Sequence, residues 1–143
     1  MPRFFDSKRN RLILSILLVL FFTLIVSETL SFRHSGSRGL SLIPFTELYK
    51  MFKTPDHLFY FKQITLNIIL FIPFGFTLTS VLHEKEENHL RPVLIAGALL
   101  SVSVEVLQYL TSRGYTEIDD VINNTLGAVI GWWGYNQVLK MRG

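Results

Sequence analysis

The sequence predicts an all-α integral membrane protein, a four-span helical bundle with a partly amphipathic outer connection between its first two spans. Three observations lead there. Of the 143 residues, 49% are apolar and only 17% are charged. Four apolar runs, 12–30, 64–82, 93–110 and 118–139, each come close to the ~20 residues that carry a helix across about 30 Å of hydrocarbon. Those runs also lack the charged faces that amphipathic helices of a small soluble domain would show.

The first run follows Arg9 and Arg11 and carries one charge, Glu28, near its end. A basic stretch before an apolar core also marks secretory signals. This run is long for one, and 26–31 offers only a weak cleavage site, so it reads as a span. Residues 33–39, rich in Ser and Gly, read as a loop. The connection then turns apolar at Leu40, Leu42 and Ile43, breaks at Pro44, and mixes Phe52, Phe59, Tyr60 and Phe61 with Lys50, Lys53 and Lys62. Such a mixture suits a helix lying in the headgroup layer. A lid packed on the bundle is the alternative.

The second run holds no charge, but Pro73 removes a backbone donor and should kink the helix. A packing kink, with Gly75 beside it, is favoured over a cavity next to Asn67. The third run holds only Glu105. The fourth opens on carboxylates and closes on Trp132, Trp133 and Tyr135, which suit anchoring at the inner interface. No internal repeat interrupts this order, so residues 1–143 read as a single membrane domain.

The basic residues lie in the connections. Arg3, Lys8, Arg9, Arg11, Lys85, Arg91, Lys140 and Arg142 fall on one side, against Arg33, Arg38, Lys50, Lys53, Lys62 and Arg113 on the other. The N-terminal cluster favours both termini in the cytoplasm of a multi-pass cell-membrane protein. The net charge of +3 therefore speaks to orientation, and no nucleic acid is expected as a partner. The chain has no cysteine, which removes disulfides, thiol catalysis and thiolate metal sites.

With that orientation, the strongest polar groups of every span fall in the outer half. Asn67 lies in span two, Glu105 and Gln108 in span three, and Asp119, Asp120, Asn123 and Asn124 in span four. Intramembrane acids are costly and are commonly functional. At 100° per residue, Asp120, Asn124, Gly127 and Gly131 share one face, and Gly127-x-x-x-Gly131 permits close helix approach. In span three, Ala98, Ser101, Glu105 and Gln108 form a matching stripe that continues to Ser112. A hairpin about Gly114 would set Glu105 level with Asn123 and Asn124, and Gln108 level with Asp120. Each residue also has a plainer reading. Asn67, Gln108, Asn123 and Asn124 could simply join helices. Asp119 could cap its own helix. Glu28, Glu117, Arg113 and the four histidines, His34, His57, His83 and His89, suit solvated positions.

Four pieces, in order, carry a resemblance. They are Leu42-Ile43-Pro44-Phe45, then Asn67-Ile68-Ile69-Leu70-Phe71-Ile72-Pro73-Phe74-Gly75-Phe76, then Ser103-Val104-Glu105-Val106-Leu107-Gln108, then Glu117-Ile118-Asp119-Asp120-Val121-Ile122-Asn123-Asn124-Thr125-Leu126-Gly127. Together they resemble the VanZ-like family of small bacterial membrane proteins across residues 41–132. Glu117 departs from the family pattern, which commonly has Phe or a similar residue there. The resemblance implies either low-level resistance to glycopeptides such as teicoplanin or modulation of cell-envelope precursors. The partners it implies are the lipid bilayer and either a lipid-linked cell-wall precursor or the antibiotic itself. Two other classes stay open. One is an intramembrane enzyme on a lipid-linked substrate, with Glu105, Asp119 and Asp120 as base or as oxygen ligands for Mg²⁺ or Ca²⁺. The other is a small proton-coupled transporter, which would have to oligomerise. A non-enzymatic role is preferred. No catalytic residue, resident metal or cofactor is assigned.

Overall fold

The computed structural model describes residues 8–31, 37–82, 89–111 and 113–142. Arg3, residues 33–36, residues 83–88 with His83 and Lys85, Ser112 and the side chains of Glu28, Arg38, Arg113 and Arg142 lie outside what is described. Those described residues form five helices and two short strands, in the order α1 (Lys8–Ser31), β1 (Ser37–Ser41), α2 (Thr46–Lys53), α3 (His57–Leu82), α4 (Leu90–Thr111), β2 (Arg113–Glu117) and α5 (Ile118–Arg142). Among the described residues, α3 and α4 are long and apolar enough to cross a membrane. In α1 the apolar stretch Leu12–Ile25 is shorter, and the polar first turns of α5 lower its hydropathy.

The four long helices cover the four apolar runs of the sequence. α3 begins at His57, seven residues before the run that predicted it, and is 26 residues long, or ~39 Å. Asn67 therefore sits nearly three turns inside the helix rather than one.

α5 packs most extensively on α3, and α1 and α4 flank that pair. α3 and α5 run in the same direction. Gly127 meets the Ile68 carbonyl, Gly131 meets the Ile72 carbonyl, and Gly75 meets the Ala128 carbonyl. A Cβ at any of these positions would run into backbone, so the two helices touch main chain to main chain. Farther along, the Phe76 and Tyr135 rings stack edge to face at 5.4 Å. Tyr135 is fully buried and Trp132 packs on the core, so only the exposed Trp133 remains available as an anchor.

Pro73 lies inside α3, which continues through it as one helix. Its carbonyl accepts the Thr77 hydroxyl, and Thr79 donates to the Gly75 carbonyl at 2.7 Å. Hydroxyls that bond back to the preceding turn stay satisfied without water.

The apolar core is small: Ile25, Phe71, Phe74, Val93, Leu100, Val104 and Ala128. Many large apolar side chains of α1 and α4 face outward, among them Leu20, Phe22, Ile95, Leu99 and Leu110. Ser101, Glu105, Gln108, Asp120 and Asn124 are buried instead. Soluble domains distribute these types the other way. This arrangement suits a protein whose outer surface meets lipid.

The sequence reading anticipated no strand. β1 and β2 pair in parallel, from Ser37 beside Arg113 to Ser41 beside Glu117. Parallel strands need a long crossover, supplied here by α2, α3 and α4. Gly39 lies under the Tyr115 ring, where any side chain would collide. Pairing the two segments satisfies extended backbone at the end of the bundle, where water is scarce if lipid surrounds it.

Candidate functional site

The site forms where the two strands deliver α2 and α5 to one place. Ser41 and Glu117 end the ribbon side by side, and helices start shortly after each. Asp119 and Asp120 are neighbours in the first turn of α5, so their side chains leave the helix about 100° apart. They do different work.

Asp119 reaches to α2. Its Oδ1 accepts the Phe45 backbone N–H at 2.6 Å and its Oδ2 accepts that of Glu47 at 2.7 Å. The first amides of a helix lack internal partners. Phe45, at the N-cap of α2, has no side-chain oxygen to offer and sits at φ 63°. Asp119 thus caps a helix from 72 residues away. The prediction that it caps α5 is corrected on this point. Capping is retained, but the capped helix is α2.

Asp120 turns into the bundle. Its Oδ1 accepts the Asn67 amide of α3, and the residue is almost fully buried. Two more carboxylates stand beside it. One oxygen each from Glu47, Glu117 and Asp120 lie within 4.8 Å of one another. Every one of the three takes a carboxamide. Asn123 donates to Glu47 at 3.1 Å, Gln63 donates to Glu117 at 3.1 Å, and Asn67 donates to Asp120. Three full charges at that spacing would repel by about 3 kcal/mol per pair at an effective dielectric near 20. Two fixed features lessen this. The N-terminal dipole of α5 favours negative charge there, and each amide directs a hydrogen onto one carboxylate. Oxygen donors so grouped match the ligand set of a hard cation.

α4 closes the other side. The Glu105 carboxylate accepts the Glu117 N–H at 3.0 Å, and its main-chain carbonyl accepts the Thr116 hydroxyl at 3.2 Å. Asn124 donates to Ser101 at 2.8 Å. Gln108 is fully buried on the same face of α4. The sequence reading set Asn123 and Asn124 against Glu105. The partners are instead Glu47 and Ser101, so Asn124 meets α4 one turn deeper than expected. Extended strand advances about 3.3 Å per residue against 1.5 Å in a helix. Because 113–117 is strand rather than turn, the chain descends quickly and α5 starts deeper.

The pieces that meet here, Leu42 to Phe45, the Asn67 segment, the Glu105 segment and the Asp119-Asp120 turn, are scattered along the sequence. The VanZ/LLP1 family model matches residues 11–140, nearly the whole chain and all of these pieces. The chain belongs to the VanZ/LLP1 family. It is also similar to Protein VanZ of Enterococcus faecium, 35% identical over 94 residues. That stretch is 66% of this chain and 50% of the relative, so the chain spans about half the relative's length. No solved structure matches.

Within this VanZ/LLP1 chain the sequence reading missed Glu47, Gln63 and the pairing of Glu117. Glu47 is 2% exposed, yet it stands among lysines and reads as part of a solvated face. Gln63 precedes Asn67 by four residues and so shares its face, a signal that was available. Glu117, read as solvated, is half-buried and bonded to Gln63. His89 is buried rather than solvated, whereas His57 is exposed.

Proposed function

We propose that the chain crosses the cell membrane four times with both termini in the cytoplasm, and that its polar cluster lies in the outer half of the bilayer. There it would alter how a lipid-linked cell-wall precursor is presented or how a glycopeptide such as teicoplanin reaches it, giving low-level resistance. Membership of the VanZ/LLP1 family motivates the envelope role. The observation that carries the placement is the convergence of Glu47, Asn67, Glu117, Asp119 and Asp120 where α5 begins, in the N-terminal half of α3. The basic N-terminal cluster favours the opposite side as the cytoplasmic one. Glu105 and Gln108 of α4 and Asn123 and Asn124 of α5 belong to the same site. Expression in a sensitive host should raise the teicoplanin inhibitory concentration, and Asp120→Asn should cancel the rise at equal membrane abundance. No rise with the wild-type chain in the membrane would sink the proposal.

One observation favours a second reading, an enzyme acting on a lipid-linked phosphate. The oxygens of Glu47, Glu117 and Asp120 approach within 4.8 Å, close enough to share a divalent cation. Phosphate release from a lipid-linked diphosphate, dependent on Mg²⁺ and lost in Asp120→Asn, would support it. Turnover unchanged in Asp120→Asn would remove the cluster from the chemistry.

A further inference from the structure

A groove opens between the C-terminal end of α2 and the N-terminal end of α3. Its volume is about 430 Å³, and it is lined by Met51, Phe52, Thr54, His57, Leu58 and Phe61. Phe52, Leu58 and Phe61 are 74%, 57% and 55% exposed, so the groove is open along one side. Four of its six walls are apolar. The two polar ones, Thr54 and His57, lie together near the connection between the helices.

Charge is distributed unevenly around it. Lys50, Lys53 and Lys62 flank the lining positions in sequence, against Asp56 alone. Lys62 follows Leu58 by four residues and so falls on the same side of α3. The Lys50 ammonium is held 5.5 Å over the Tyr60 ring, while Lys53 and Lys62 are exposed. The groove stands at the end of α3, a helix apolar enough to span a bilayer. On the membrane reading proposed above, that end precedes the apolar run 64–82 and falls in the outer interfacial layer.

We infer that this groove binds one anionic phospholipid, with an acyl chain along Met51, Phe52, Leu58 and Phe61 and its phosphate beside Lys53 and Lys62. The inference rests on the membrane reading proposed above. An apolar wall with a basic rim at interfacial depth complements both halves of such a lipid. A neutral lipid would leave the lysines without a counter-charge. A soluble anion would leave the apolar wall bare.

The test titrates the purified full chain, in neutral detergent, with phosphatidylglycerol and with phosphatidylcholine of the same acyl chains, reading bound lipid by native mass spectrometry. One phosphatidylglycerol should bind at least about tenfold more tightly than phosphatidylcholine. Lys53→Gln with Lys62→Gln should weaken it about 30-fold, from roughly two interfacial charges. Lys140→Gln, at the far end of α5, should leave it unchanged. Phe52→Ala with Leu58→Ala should weaken both lipids. Equal retention of the two lipids would overturn the inference, as would indifference to the paired lysine change. Displacement by millimolar inorganic phosphate would mark a free-anion site instead, and a dimer that excludes lipid would assign the groove to a second copy. A chain that stays dispersed without detergent would defeat the membrane reading itself, an outcome separate from all of these.

Discussion

The two ends of the α3–α5 interface are held together by different physics. Where α5 begins, the contacts are polar and long-range: Asn67 with Asp120, Gln63 with Glu117, and Asp119 with the amides that open α2. Farther along, Gly75, Gly127 and Gly131 bring main chain against main chain. Lipid tails are as apolar as leucine, so in a membrane close packing must replace the hydrophobic drive between helices. The glycine seam can therefore fix the pair of helices. The polar end is left free to carry groups that cost stability, such as three adjacent carboxylates. Damage to the seam should unfold the bundle, whereas damage to the polar end should alter local order or activity first.

The largest effect tests the seam. In Gly131→Val, the new side chain would enter the Ile72 carbonyl and the Phe76 amide, and neither can give way as a flexible side chain could. Overpacking ordinarily costs about 1–3 kcal/mol, and a backbone obstacle belongs at or above that range. The melting temperature in detergent should fall sharply, with loss of monodisperse protein. Gly134→Ala is the matched control on the same helix. Its Cβ would find the Phe76 ring at 4.0 Å, ordinary contact, so its melting temperature should hold. Equal losses in both variants would mean that α5 tolerates no added bulk anywhere, and the seam would lose its special standing.

The polar end breaks differently depending on which aspartate is changed. Asp119→Ala removes two charge-assisted bonds to the start of α2, an effect of about 2 kcal/mol if it behaves like a strong helix cap. Hydrogen exchange should speed up at residues 45–50 while α3 and α5 stay protected. Asp120→Asn keeps the shape and one oxygen to accept from Asn67, so exchange around α2 should barely change. If Asp120→Asn loosened α2 as much as Asp119→Ala, the division of labour between the two residues would be wrong.

Much of this division was legible in the sequence. The lengths of the apolar runs located all four long helices. The 3.6-residue period grouped Asp120, Asn124, Gly127 and Gly131 on one face, and it put Ser101, Glu105 and Gln108 on another. What escaped was non-local. Ser37 to Gly39 look like loop formers, because the local pattern of Ser and Gly carries no trace of a parallel partner at 113–115. Asp119 follows the usual rule for a helix N-terminus, but nothing in its neighbourhood names α2 as the helix it serves. The depth of α5 went wrong for the same reason, since a strand mistaken for a turn shifts every later pairing by a turn.

The smallest effect concerns Phe45, where the two kinds of constraint meet. Asp119 holds its N–H while its φ of 63° places it in the left-handed region, which L side chains rarely adopt. Holding a non-glycine residue there costs of order 1 kcal/mol or more. Phe45→Gly relieves that strain but gives the unfolded chain more freedom, which opposes folding by a similar amount. The ring is 61% exposed, so little packing is lost inside the protein. The net change in melting temperature should be small in detergent. Phe45→Ala removes the ring without relieving the strain, and it separates the two contributions. If Gly is less stable than Ala by the ~1 kcal/mol that its extra unfolded-state freedom costs, φ at this position carries no strain, and if the two behave alike, relieved strain has offset that cost. If Gly is the more stable of the two, the polar end tolerates a strained residue so that its amide can meet Asp119, a compromise the glycine seam never has to make.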